Sequence, residues 1–160
     1  MIRLRNIGVS VLVMLFAYAT VAQAEPLSMF ERTTLVIETE KGRHEFNVEL
    51  ALTQAEQMQG LMFRRRLAAD AGMLFYHQRD LEARMWMRNT FLPLDMLFVA
   101  ADGRIVHIAE RTVPKSLTPI SAGQPVRAVL EVNAGTVRRL AIKPGDRLIH
   151  PLFENADERR

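Results

Sequence analysis

The chain has 160 residues, with 21 basic and 18 acidic side chains and no cysteine. Without a thiol there is no disulfide, no cysteine nucleophile and no thiolate metal site, so stability must come from packing. The formal charge of +3 falls to +1 (19 basic against 18 acidic) once Arg3 and Arg5 are set aside with the N-terminal segment, too even a balance for a nucleic-acid footprint.

The first 24 residues have the layout of an export signal. "MIRLRN" is basic, "IGVSVLVMLFAYATVA" is apolar, and "AQA" places alanine at both small-residue positions of a cleavage site. The apolar run is shorter than the ~20 residues a membrane-spanning helix needs. The expectation is therefore cleavage after Ala24, a periplasmic or secreted location, and no transmembrane segment in the 136 residues that remain. That length suits one domain with its own core. Its expected bounds are 25–153, with 154–160 ("ENADERR") as a charged flexible tail.

"TTLVIET" (33–39) and "RHEFNVEL" (43–50) flank a glycine turn and read as a β-hairpin. Thr53 and Glu56 then stand at capping-box spacing, and Met58, Leu61 and Met62 follow on one helical face, expected to be core. Gly60 either ends this helix or lets another backbone approach it. Period two returns in "GMLFYH" (72–77), "EARMWMRN" (82–89) and "LDMLFVA" (94–100). Asp102-Gly103 marks a tight turn into "RIVHIAER" (104–111), and the proline-rich segment 112–125 is a long loop. "VRAVLEV" (126–132) is a further strand, "NAGTVRRLAI" (133–142) holds a short helix with Thr136 as its cap, and "RLIHPLF" (147–153) closes the chain. About eight strands with one or two short helices predict a mainly β domain, a single compact antiparallel sandwich or barrel.

Asp95 stands alone in an otherwise apolar run, Leu94 to Val99, and Glu131 holds a similar place in Val126 to Asn133. A buried carboxylate must find cations or donors, or take up a proton. Arg64, Arg88 and Asn89 are candidate partners. Two arrangements satisfy this demand. Either both carboxylates are structural, held by arginines and backbone amides, or they line a pocket with Trp86 on the face that carries Arg84, Trp86, Arg88 and Thr90. The arginine run 64–66 is either a solvated loop or an anion contact.

Three functions fit these residues. The first is a non-catalytic module that binds a small polar or anionic ligand, or an envelope protein, through Trp86, Arg88, Asp95 and Glu131. The second is an envelope glycan hydrolase with Asp95 and Glu131 as its acid–base pair. The third is Cu(I) binding by Met85 and Met87, whose thioethers are soft ligands. The common nucleophile, zinc and phosphate-loop motifs are absent, and the four histidines are not at paired ligand spacing. Neither cofactor nor bound metal is expected, and the domain is expected to be monomeric.

Six segments in order, "GLMFR" (60–64), "GMLF" (72–75), "MWMRNT" (85–90), "PLDMLF" (93–98), "VLEV" (129–132) and "GD" (145–146), resemble domain-of-unknown-function family 192. The resemblance runs from about Leu35 to Phe153. It implies a single β-rich domain, often exported, and no particular reaction. Arg64, Arg88, Asn89, Thr90, Asp95 and Glu131 coincide with the family's motif positions. Arg88 departs from the lysine common there, which keeps the charge and changes its geometry.

Overall fold

A computed structural model describes residues 30–153 and residue 155. The expected export signal lies outside the described residues. Among the described residues, no helix is long and apolar enough to cross a membrane.

The hairpin forms as the alternation requires. Strand β1 (Glu31–Thr39) pairs antiparallel with β2 (Gly42–Ala51), Leu35 opposite Phe46. Helix α1 (Gln54–Gln59) opens with a complete capping box: Glu56 N donates to the Thr53 hydroxyl, and the Glu56 carboxylate accepts from Thr53 N. Gly60 ends it at φ +47°, and a Cβ there would lie 3.1 Å from the Phe75 ring. Gly60 thus ends the helix as expected, and its close neighbour is a side-chain ring rather than another backbone.

Four strands follow: β3 (Ala71–Leu81), β4 (Leu94–Val99), β5 (Ile105–Ala109) and β6 (Val126–Asn133). After helix α2 (Thr136–Leu140), β7 (Arg147–Ile149) and a 3-10 turn (Pro151–Phe153) complete the fold. The strands form one sheet in the order β5-β4-β6-β3-β2-β1-β7. It curls into a half-barrel whose outer edges touch. Arg104 bridges Arg147, and Leu148 N donates to Gly103 O at 2.8 Å.

The inner face gathers apolar side chains from every strand, including Leu35, Val48, Leu74, Leu97, Leu130 and Leu148, and α2 plugs it with Val137. The outer face of β3, β4 and β6 carries Met73, Phe75, Met96, Phe98 and Val129, covered by Leu61, Ala83 and Met87. Gly72 lets β3 approach β6, since a Cβ there would meet Glu131 O at 2.7 Å.

The mainly β class and the two short helices agree with the sequence reading; four details do not. Among the described residues there are seven strands rather than about eight, because 82–89 is not a strand. Its alternation is real: Ala83 and Met87 are buried, while Arg84, Trp86 and Arg88 are exposed. The segment is extended chain laid across the outer face, and its one ladder-type bridge is Met85 with Ile120; its other bonds to neighbours, Met87 N to Ser116 O at 3.1 Å and Phe63 N to Asn89 O at 2.9 Å, are isolated. Periodicity records burial, and a strand also needs an adjacent ladder. Second, β2 and β3 run parallel, Val48 beside Gly72, because 52–70 with α1 forms a crossover rather than a hairpin. Third, Thr136 does not cap α2; Gly135 occupies that position with no side-chain cap of its own. Fourth, packing continues past the expected edge at Phe153. Asn155 is buried, accepting from His150 N at 3.0 Å and donating to Leu148 O at 2.9 Å.

Candidate functional site

Asp95 faces inward on β4 with Leu97 and Val99, and it is fully buried. Its Oδ1 accepts from Arg111 N at 2.9 Å, and its Oδ2 accepts from Gly135 N at 2.9 Å and Val137 N at 3.0 Å. No arginine side chain is involved in these bonds, contrary to one expectation from sequence. Two of the three donors are the free amides at the start of α2, where intrahelical acceptors are lacking. Asp95 is therefore the cap that α2 lacks locally, supplied from a distant strand. It is a structural group.

Glu131 lies on the next strand but faces the other way. The β4–β6 register pairs Met96 with Glu131 and Asp95 with Val132, so the two carboxylates point to opposite faces of the sheet. They cannot act on one substrate from the two sides of a bond, as a carboxylate-pair hydrolase requires. Glu131 is 4 % exposed, flanked across the sheet by Met73 and Met96, and makes no hydrogen bond or ion pair among the described residues. Burial pushes its carboxyl up from the ordinary 4.5 to about 8. At neutral pH it holds a proton.

This carboxyl lines a pocket of about 320 Å³ on the outer face. One wall is the end of α1 and the turn after it, with Met58, Gly60, Leu61 and Met62. Phe75 and His77 of β3 form a second, and the extended segment supplies Met85, Trp86, Arg88 and Thr90. The helix is tied to the sheet by Gln57, whose amide donates to Ala51 O at 3.2 Å and Tyr76 O at 3.1 Å. His77 Nε2 is buried without a partner, and burial pushes its pKa down. At the mouth, Trp86 is 49 % exposed with the Arg88 guanidinium 6.0 Å from its ring centre, and Arg84 reaches Glu82 at 3.5 Å.

The structure thus brings Trp86, Arg88, Thr90 and Glu131 together and places three other candidates elsewhere. Thr90 is itself buried instead of sharing the exposed face of Trp86. Arg64 pairs with buried Glu49, which also meets Arg32 at 3.3 Å, in a separate polar cleft of about 580 Å³. Asn89, at φ +55°, accepts from Phe63 N at 2.9 Å and joins two loops. Asp95 caps α2 from inside the barrel. Of the methionines read as a copper pair, Met87 is fully buried with its sulfur accepting from the Thr112 hydroxyl at 3.1 Å, while Met85 opens to the pocket.

Sequence reasoning missed Met58, Met62, Phe75 and His77 as pocket wall. Met58 was expected in the core, yet it is 65 % exposed. Its signal was present in the unusual density of methionines, which suit adaptable binding surfaces as well as cores.

The model of domain-of-unknown-function family 192, described as "Uncharacterized ACR", matches residues 36–150. Two crystal structures share the fold. One, from Sinorhizobium meliloti and described as a candidate transcription regulator, is 47% identical with a TM-score of 0.75, covering 77% of this chain and 96% of that one. The other, a protein of unknown function from Novosphingobium aromaticivorans, is 44% identical with a TM-score of 0.76, covering 79% of this chain and 90% of that one. A search of curated proteins finds no match.

Proposed function

The chain belongs to domain-of-unknown-function family 192, and on that premise we propose that it is an exported, non-catalytic module that binds a small ligand in the outer-face pocket. The observation that carries this reading is Glu131, a buried carboxyl without a partner on the lining of a concave, largely apolar site. Leaving such a group unsatisfied costs free energy, and a fold that needed only packing would have an apolar side chain there. A ligand that hydrogen-bonds Glu131 recovers that cost. The pocket volume falls at the lower end of the range for small-molecule sites, where a few polar groups fix orientation on an apolar wall.

The ligand is amphipathic in this reading, not merely polar. Its apolar body rests on Phe75 and the methionines, and its outer end meets Trp86, Arg84 and Arg88. A single carboxyl with no second acid or activated nucleophile beside it favours binding over catalysis.

A thermal-shift screen of sugars, nucleotides, phosphates, carboxylates, amines and metals, Cu(I) among them, tests the proposal, because a ligand of the folded form raises the melting temperature. Trp86 is the one tryptophan of the chain, so its fluorescence reports occupancy of this pocket. Ligands that raise the melting temperature and shift Trp86 emission support the module. Ligands that bind tightly while leaving Trp86 and a Glu131→Gln variant indifferent place the function elsewhere. Export is tested by mass spectrometry of the envelope fraction, which should find a mature chain beginning at Glu25.

A further inference from the structure

We infer that the pocket is selective for an amphipathic amine, with a protonated nitrogen seated on the Glu131 carboxylate and an apolar body along the thioether and aromatic wall. This inference rests on the binding reading above and names its ligand class.

The argument begins with what surrounds Glu131. Among the described residues no donor or cation reaches it: Arg84 pairs with Glu82, and Arg88 lies over the Trp86 ring. On β3 the nearest titratable wall residue is His77, kept neutral at pH 7 by burial, and α1 contributes only glutamines and Met58. Among the described residues Glu131 is thus the one carboxylate lining the pocket. The rest of the wall is soft and electron-rich. Met58, Met62 and Met85 present thioethers, and Phe75 and Trp86 present rings that attract cations.

Two ligand heads can satisfy a buried carboxyl. A neutral acceptor takes its one O–H and leaves the other oxygen unpaired. An ammonium donates to both oxygens of the ionised form, and charge-assisted bonds of this kind are about twice as strong as neutral ones. The second also matches the wall. The arginines at the mouth have the wrong sign for the amine, but they suit an acidic group at the outer end of the same molecule. An amine with a remote acid is therefore the favoured member of the class.

Proton balance follows directly. Because burial holds Glu131 protonated up to about pH 8, seating an ammonium on it sends one proton to solvent. Amine affinity should rise about tenfold per pH unit toward 8 and then level off, since ionisation no longer opposes binding. A ligand that accepts from the carboxyl O–H shows the reverse, level below about pH 8 and weakening above it.

The experiment titrates the purified protein with four probes of matched body: phenethylamine, 4-(2-aminoethyl)benzoate, phenethyl alcohol and 3-phenylpropionate. Trp86 emission reports binding, and calorimetry in two buffers of different ionisation heat reports protons released. The expected result is that the two amines bind best and the aminobenzoate leads. Near one proton should be released at pH 7, and Glu131→Gln should weaken both amines at least tenfold and abolish the release. Alcohol or acid binding as tightly as the amines, or amine binding without proton release in the wild type, overturns the amine class and leaves the pocket reading intact. If none of the four moves Trp86 emission, the amine class falls, and the thermal-shift screen of the other ligand classes decides the pocket reading separately.

Discussion

Asp95 and Glu131 are carboxylates on adjacent strands, both almost wholly buried, yet their surroundings differ completely. Asp95 receives three backbone amides from two separate segments and organises the start of α2. Glu131, one pairing step away and facing outward, receives nothing and opens on a pocket. Burial therefore does not by itself distinguish a structural charge from a site. The count of satisfied oxygens does, because an unpaired buried acid is a cost the fold carries unless something else uses it.

The largest effect expected from this contrast is a pH dependence. Unfolded, Glu131 ionises near 4.5; folded, near 8. Between those values the folded chain holds a proton that the unfolded chain has lost. The stability contribution is thus full below 4.5 and is lost as pH rises to 8, with a ceiling of about 5 kcal/mol at 1.36 kcal/mol per pH unit. His77 and His150, both pushed down by burial, act in the opposite sense: their contribution is lost as pH falls below about 6.5. Urea melts of wild type and Glu131→Gln at pH 5 and 8.5 isolate the carboxyl. The variant should gain stability relative to wild type as pH rises, and parallel curves would break the contrast.

Next comes the satisfied partner. Asp95→Ala leaves three amides without their acceptor and should cost about 3–5 kcal/mol in a denaturant melt. Asp95→Asn keeps one acceptor oxygen but turns an N–H₂ group toward N–H donors, so about 2–3 kcal/mol is expected. A loss below about 0.5 kcal/mol, the range of uncritical surface positions, would mean Asp95 is not the cap of α2.

Gly60→Ala probes how firmly the pocket wall is set. The backbone at φ +47° and ψ −141° suits glycine, and the new methyl presses on Phe75. A cost of about 1–3 kcal/mol is expected, with a change in Trp86 emission as the wall moves. Thr53→Ala removes half the capping box of α1 and should cost about 1 kcal/mol. At the small end, Trp86→Ala should change stability by less than about 0.5 kcal/mol, because the ring is half exposed. Ligand affinity measured by calorimetry should nevertheless fall.

Local order was readable from the chain itself. The hairpin over 33–50, the capping box at Thr53, the turn at Gly103 and the period-two alternation over 82–89 all depend on neighbours within a few positions, which the sequence displays. The same locality explains the strand mistakenly expected over 82–89, since alternation reports burial without reporting a hydrogen-bonded partner. What tertiary structure alone decided is which polar residues meet. The donors to Asp95 stand 16, 40 and 42 positions along the chain, and the wall opposite Glu131 comes from a helix end and a crossing segment far from it in sequence. One step of register on β4 and β6 sends one carboxylate inward to amides and the other outward to a pocket. Side-chain direction reverses at every residue of a strand, so only the long-range pairing fixes which group finds partners.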